Sequence, residues 1–213
     1  MKGLLVSLVV ASFAGAHAYS LFDFESEAAT SDIGSGSPGA LTSVTMTDNG
    51  LTLELYREGG ATFDIWDATS TEGFFPLTWE TRVLDPFANL TTDDWFIGNF
   101  SSAVKQVEVE MTDFGSDEDE LVMEVYSGLD ATGTLIATKT LSWGGNSSPS
   151  YMALGWSSVF ESGAARSIRF RGGVPDFPNS MYYDNIAATP VPEPASFAAL
   201  LLGGAALLRR RNR

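Results

Sequence analysis

The chain has 213 residues, 27 acidic and 12 basic, for a formal net charge of −15, with one histidine and no cysteine. An acidic surplus of this size repels nucleic acid and anionic lipid. The lack of cysteine removes disulfides, thiol nucleophiles and the usual zinc sites. The lone histidine, His17, falls in a segment expected to be cleaved away, which also removes histidine general bases and Ser-His-Asp triads.

The chain opens as a secretory signal: Lys2 is the charged region, 4–14 the apolar run, and Ala16-His17-Ala18 a small-x-small cleavage site. Residues 1–18 are therefore expected to form a signal helix removed by signal peptidase, with the mature chain starting at Tyr19. Without Lys2 and the four arginines of the C-terminal segment, 7 basic residues face 27 acids over 19–194, a formal net charge of −20. About 170 residues suffice for one hydrophobic core without disulfides.

The body, 19–189, reads as a single all-β domain. Segments 41–47, 51–56, 77–84, 104–112, 120–126, 134–141, 167–170 and 181–187 cluster or alternate β-branched and aromatic residues. In 104–112, Val104, Val107, Val109 and Met111 alternate with Lys105, Glu108 and Glu110, with one slip near Gln106. Turn residues punctuate the runs at Asp48-Asn49-Gly50, Glu58-Gly59-Gly60, Gly115-Ser116-Asp117, Gly144-Gly145-Asn146 and Gly172-Gly173. This spacing predicts an antiparallel β-sandwich of jelly-roll type. Residues 187–190 read as a short linker.

The C-terminal segment, 190–213, has three parts. Pro192 and Pro194 keep Glu193 in an extended backbone that a processing enzyme can grip. Residues 195–208 carry no charge and, as a helix, cover roughly 21 Å of a hydrocarbon core of roughly 30 Å. Arg209, Arg210, Arg211 and Arg213 follow and keep that end cytoplasmic. Val-Pro-Glu-Pro, a short apolar helix and an arginine cluster closely resemble the PEP-CTERM sorting signal of Gram-negative bacteria. The resemblance implies a precursor tethered to the inner membrane by a short transmembrane helix. It also implies recognition by exosortase, cleavage near Pro192–Pro194, and delivery to the cell surface or extracellular matrix.

A second resemblance covers the body. Leu21-Phe22-Asp23-Phe24-Glu25 and Tyr182-Tyr183-Asp184-Asn185-Ile186 look like the first and last strands of galactose-binding-like jelly rolls. That likeness implies a structural Ca²⁺ held by Glu25 and Asp184, oxygen ligands of the kind calcium takes. The plainer alternative makes both ordinary edge residues, with Asp184 capping a strand end.

Three further groups invite a chemical reading. Trp66 lies between Asp64 and Asp67, an arrangement able to stack on a sugar and hydrogen-bond it, although sandwiches also bury tryptophan in their cores. The run Asp117-Glu118-Asp119-Glu120 lacks EF-hand spacing and reads as a solvated hairpin loop between 104–112 and 121–126. Arg166, Arg169 and Arg171 form a basic island expected to pair with nearby acids. No flanking motif singles out the two carboxylates that glycoside hydrolysis requires.

The sequence thus predicts an exported, non-catalytic surface or matrix protein, with extracellular polysaccharide as the expected partner. A carbohydrate-binding module with structural calcium is the alternative, and a polysaccharide hydrolase stands third.

Overall fold

The computed structural model describes residues 19–30, 41–68, 81–86, 93–113, 118–143, 151–159, 161 and 163–192. They build β1 (Ser20–Phe22), β2 (Ser43–Asp48), β3 (Leu51–Arg57), β4 (Asp64–Asp67), β5 (Arg82–Asp85), β6 (Phe96–Thr112), β7 (Asp119–Tyr126), β8 (Leu135–Trp143), β9 (Met152–Ser157), β10 (Ala165–Gly173) and β11 (Tyr182–Pro190). Every pairing between these strands is antiparallel, and one 3-10 turn, Glu58–Gly60, follows β3.

The long strand β6 belongs to two groups of strands. Its first residues, Phe96 to Phe100, pair with β3 on one side and β10 on the other. Beyond β3 lies β2, and beyond β10 lie β7 and β8. Its second half pairs with β11 and β9. On its far edge β11 pairs with β5 at Tyr183 and with β1 over Ile186 to Ala188, and β5 carries β4.

Both groups send alternate side chains into one apolar cluster. Leu53 and Leu55 come from β3, Met123 and Val125 from β7, Val107 and Val109 from β6, and Ile168 and Phe170 from β10. Phe96 lies among aromatic rings, with centroids 5.6 Å from Phe63 and 5.5 Å from both Phe170 and Tyr183. Burial of each large side chain contributes about 1.5–3 kcal/mol.

Arg57, at the end of β3, is fully buried beside this cluster. Its Nε and Nη2 lie 2.8 Å from the two carboxylate oxygens of Asp94, while Nη1 donates to the carbonyls of Thr62 and Pro86. Asn179, also fully buried, donates from Nδ2 to the carbonyl of Asp94. The chain is thus pinned immediately before β6, which fixes the direction of Trp95.

Much of the sequence reading holds. The Asp48-Asn49-Gly50 turn joins β2 to β3 with Asn49 at φ 48° and Gly50 at φ 80°, the left-handed pair that tight hairpins require. The slip near Gln106 is a bulge: Gln106 pairs with Thr189, the next pair is Val104 with Pro190, and Lys105 is passed over.

Other expectations need correction. Strand β6 starts at Phe96 rather than 104, and its first five residues are all buried, so no alternation marks them. Residues 187–190 are strand, not linker: Ala187 and Ala188 are buried between neighbours, and the Val191 amide still donates to the Ala103 carbonyl. Asp119 and Glu120 open β7, Asp119 is buried and accepts from the Ser180 hydroxyl, and β6 does not pair with β7, so no hairpin forms there. Gly172 and Gly173 are the last residues of β10, paired with Leu121 and Glu120, rather than a turn, and Gly172 allows the close approach of β7, since a Cβ there would lie 2.4 Å from Leu121 Cδ2. The expected signal helix and apolar C-terminal helix lie outside the described residues, as do 77–80, Ala16, Ala18, Glu193, Pro194 and Arg209 to Arg211. Among the described residues no helix is long and apolar enough to cross a membrane.

Candidate functional site

The two residues expected to hold calcium both have partners within the chain. Glu25, just after β1, already uses both oxygens: Oε1 accepts from the Thr81 and Arg82 amides and Oε2 from the Thr81 hydroxyl, each at 2.6 Å. Asp184 is 1 % exposed on β11, and its Oδ1 accepts from the Asn185 amide at 2.7 Å. Burial pushes the Asp184 carboxyl up to about 9; the Asn185 amide opposes the rise, and the charges of Asp23, Glu25 and Glu110 add to it. Among the described residues no three acidic side chains gather closely enough to hold a metal ion. With these bonds Glu25 acts as a clip between the first strand and β5. Glu25→Ala strands two backbone donors and a hydroxyl, and is expected to lower unfolding stability by about 1–3 kcal/mol in urea titration.

The Trp66 group is also closed. The Asp64-Ile65-Trp66-Asp67 strand sends Ile65 into the main core and Trp66 into a second cluster with Ala68, Val83 and Tyr182. Trp66 is 7 % exposed and stacks on Tyr182 with centroids 5.2 Å apart. Asp64 accepts from the Thr30 hydroxyl at 2.7 Å, and Asp67 pairs with Arg82 at 2.8 Å. The indole is thus packed against Tyr182 and Val83 rather than presented to solvent.

A different set of side chains does converge, on the outward face of β3, β6, β10 and β7. Register places Tyr56 beside Ile97, Ile97 beside Arg169, and Arg169 beside Glu124 in one row across four strands. The neighbouring row runs Glu54, Asn99, Ser167 and Tyr126. Arg169 Nε donates to Glu124 Oε2 at 2.7 Å, and the Tyr126 hydroxyl donates to the same oxygen. Burial works against ionisation of Glu124, but these hydrogen bonds outweigh it and hold the carboxyl below its usual range. Trp95, half-buried at the start of β6, carries the Arg169 guanidinium 4.4 Å and the Arg171 guanidinium 4.5 Å from its ring centroid. Arg171 also pairs with Asp93.

One end of this strip is closed by the turn joining β7 to β8. Asp130 and Ala131 adopt left-handed φ of 55° and 51°, folding the turn back over the sheet. Asp130 Oδ1 accepts from the Tyr56 hydroxyl at 2.8 Å and from Asn99 Nδ2 at 2.6 Å, and the Asp130 amide donates to Asn99 Oδ1. These bonds hold the Asp130 carboxyl low, while partial burial and Asp130 itself push the Tyr56 phenol up to about 12. Below the turn, Ser167 Oγ accepts from the Ala131 amide and donates to the Gly128 carbonyl.

The sequence carried part of this signal. The basic island pairs internally as expected at Arg169 and Arg171, and their two-residue spacing puts them on one strand face. Trp95 follows Asp93-Asp94 and so, like Trp66, lies near acids, but only the fold shows which indole is covered. Asn99, Tyr126 and Asp130 carried no local signal, because their proximity comes from sheet register and from a turn 31 residues away from Asn99.

No protein-family model and no curated protein matches the sequence. Solved structures with a similar chain path include a DUF4465 family protein from Bacteroides caccae, with TM-score 0.45 and 12 % identity, covering 82 % of this chain and 100 % of that one. A family 11 carbohydrate-binding module from Clostridium thermocellum, in complex with a β-1,3-1,4-mixed-linked tetrasaccharide, matches with TM-score 0.33 and 12 % identity over 82 % of this chain and 97 % of that one. The family 11 module of the cellulosomal cellulase Lic26A-Cel5E from the same organism matches with TM-score 0.31 and 12 % identity over 84 % and 98 %. At these scores none of them assigns a ligand or a site to this chain.

Proposed function

We propose that this chain is an exported, non-catalytic glycan-binding module of the cell surface or extracellular matrix, a β-sandwich of jelly-roll type sorted by its PEP-CTERM-like segment. The observation that carries the glycan reading is the strip of Trp95, Arg169, Glu124 and Tyr126. The Trp95 ring carries two planar guanidinium donors, and the Tyr126 hydroxyl and Arg169 share an ionised acceptor, Glu124, so the groups hold one another in place. Sugars present apolar C–H faces to such rings and hydroxyls to such charged groups. The carboxyls of the strip, Glu124 and Asp130, are both held low. That suits hydrogen-bond acceptors, whereas a glycosidase acid must be held high.

The sorting half rests on the residues at the two ends. Signal peptidase would cut after Ala18, exosortase would act at Pro192, Glu193 and Pro194, and Arg209, Arg210 and Arg211 would hold the precursor at the inner membrane. Because β11 runs to Pro190, a cut beyond it leaves the sheet whole. Intact-mass measurement on protein from its own cells is expected to show Tyr19 at the start and loss of 195–213. A cytoplasmic chain with both ends intact would overturn this reading.

Binding is tested by affinity electrophoresis in gels containing soluble β-glucan, xylan or alginate. At least one is expected to retard the wild type, and Trp95→Ala or Tyr126→Ala to weaken that retardation several-fold. Retention as strong in both variants as in wild type would remove the strip as the site.

A further inference from the structure

Of the five described arginines, Arg57, Arg82, Arg169 and Arg171 each hold a carboxylate, and Arg166 does not. Its Nε is shielded from water and has no hydrogen-bond partner. On a body with 27 acids against 7 bases, a guanidinium without an acid is the exception. Its position has a structural cause. The register between β10 and β6 jumps between Ala165 and Ser167, from Val104 to Asn99, so Arg166 sits at a bulge that re-aims its side chain.

That side chain lines a groove of about 240 Å³, continuous with the strip through Glu54 and Asn99 and lying against the β7–β8 turn. That volume is large enough to seat one sugar ring. The lining is divided by chemistry. Leu129, 42 % exposed, supplies an apolar wall. The Ser101 oxygen accepts from the Thr52 amide, which leaves its O–H to donate. Glu54 is exposed and accepts only, and a second carboxylate placed beside it would be repelled. A ligand bearing one carboxylate is therefore oriented, with the acid toward Arg166 and hydroxyls toward Glu54.

We propose that this groove is a subsite for one carboxylate-bearing sugar residue, a hexuronate within a bound glycan, whose carboxylate Arg166 receives. The inference rests on the glycan reading above and deepens it. Charge alone would not produce such a preference, since the body as a whole repels anions.

The test is isothermal titration of the full chain with tri-uronates of galacturonic, glucuronic and mannuronic acid, each compared with its neutral methyl ester. At least one acid is expected to bind about 10- to 100-fold more tightly than its ester. Arg166→Met should abolish that preference, Glu54→Gln should retain or strengthen it, and added salt should weaken it. Equal binding of acid and ester, or a preference that survives in Arg166→Met, overturns the subsite while leaving the strip intact. Failure of all three acids to bind also overturns it. Failure of the strip itself is read separately, from Trp95→Ala and Tyr126→Ala in the polysaccharide gels.

Discussion

Asp94→Ala is expected to lower unfolding stability by about 3–5 kcal/mol, seen as a fall in the urea midpoint. The substitution leaves the Arg57 guanidinium fully buried without its carboxylate, while the Thr62 and Pro86 carbonyls still accept from it. The cost arises from the stranded charge more than from the lost attraction. The double variant Arg57→Met with Asp94→Leu is therefore expected to recover most of the loss, since well-packed apolar pairs often equal buried ion pairs. A double variant no more stable than Asp94→Ala would show that the clamp acts through shape instead. Because Asp94 also receives Asn179 and precedes Trp95, the single variant should lose glycan binding as well.

Asp184→Asn is expected to act in the other direction. The carboxyl is pushed up to about 9 in the fold by burial, with Asp23, Glu25 and Glu110 adding to it against the Asn185 amide. In the unfolded chain it returns to about 3.9. The folded state thus binds this proton more tightly. Its contribution is fully present below about pH 4 and is lost as pH rises to about 9, by up to about 1.4 kcal/mol per pH unit. Asparagine keeps the shape without the proton. The variant should match wild type near pH 4 and exceed it by up to about 4 kcal/mol near pH 7. Urea midpoints measured across that range check this, and curves that stay parallel would rule it out.

Sequence reading succeeded where local chemistry decides structure. Asn49-Gly50 announces its turn because few residues tolerate left-handed φ, and the interrupted alternation at Gln106 announces its bulge. It failed where neighbours decide. Phe96 to Phe100 show no alternation because the second face is covered too, a matter of sheet partners 40 to 70 residues away. Trp66 and Trp95 both lie near acids in the sequence, and tertiary packing separates them: Trp66 is buried against Tyr182, whereas Trp95 is half-buried under two guanidinium groups. The groove at Arg166 depends on a register jump that no run of residues encodes.

The position of the last strand has a mechanical consequence. β1 and β11 lie side by side and antiparallel, with Ser20 opposite Ala188, so Tyr19 and Pro190 leave the sheet at the same end. Tension between the two termini would peel away the three residues of β1 one bond at a time. Tension between Pro190 and a ligand held on the strip takes another route, along β11 and into β6, where register pairs from Tyr182 to Pro190 share the load in shear. Force spectroscopy should therefore show a small early extension when the termini are pulled apart, and a single higher rupture when the load enters at Pro190 against the strip. A molecule built this way yields easily at its N-terminal edge and resists along the line joining its C-terminal strand to what it grips.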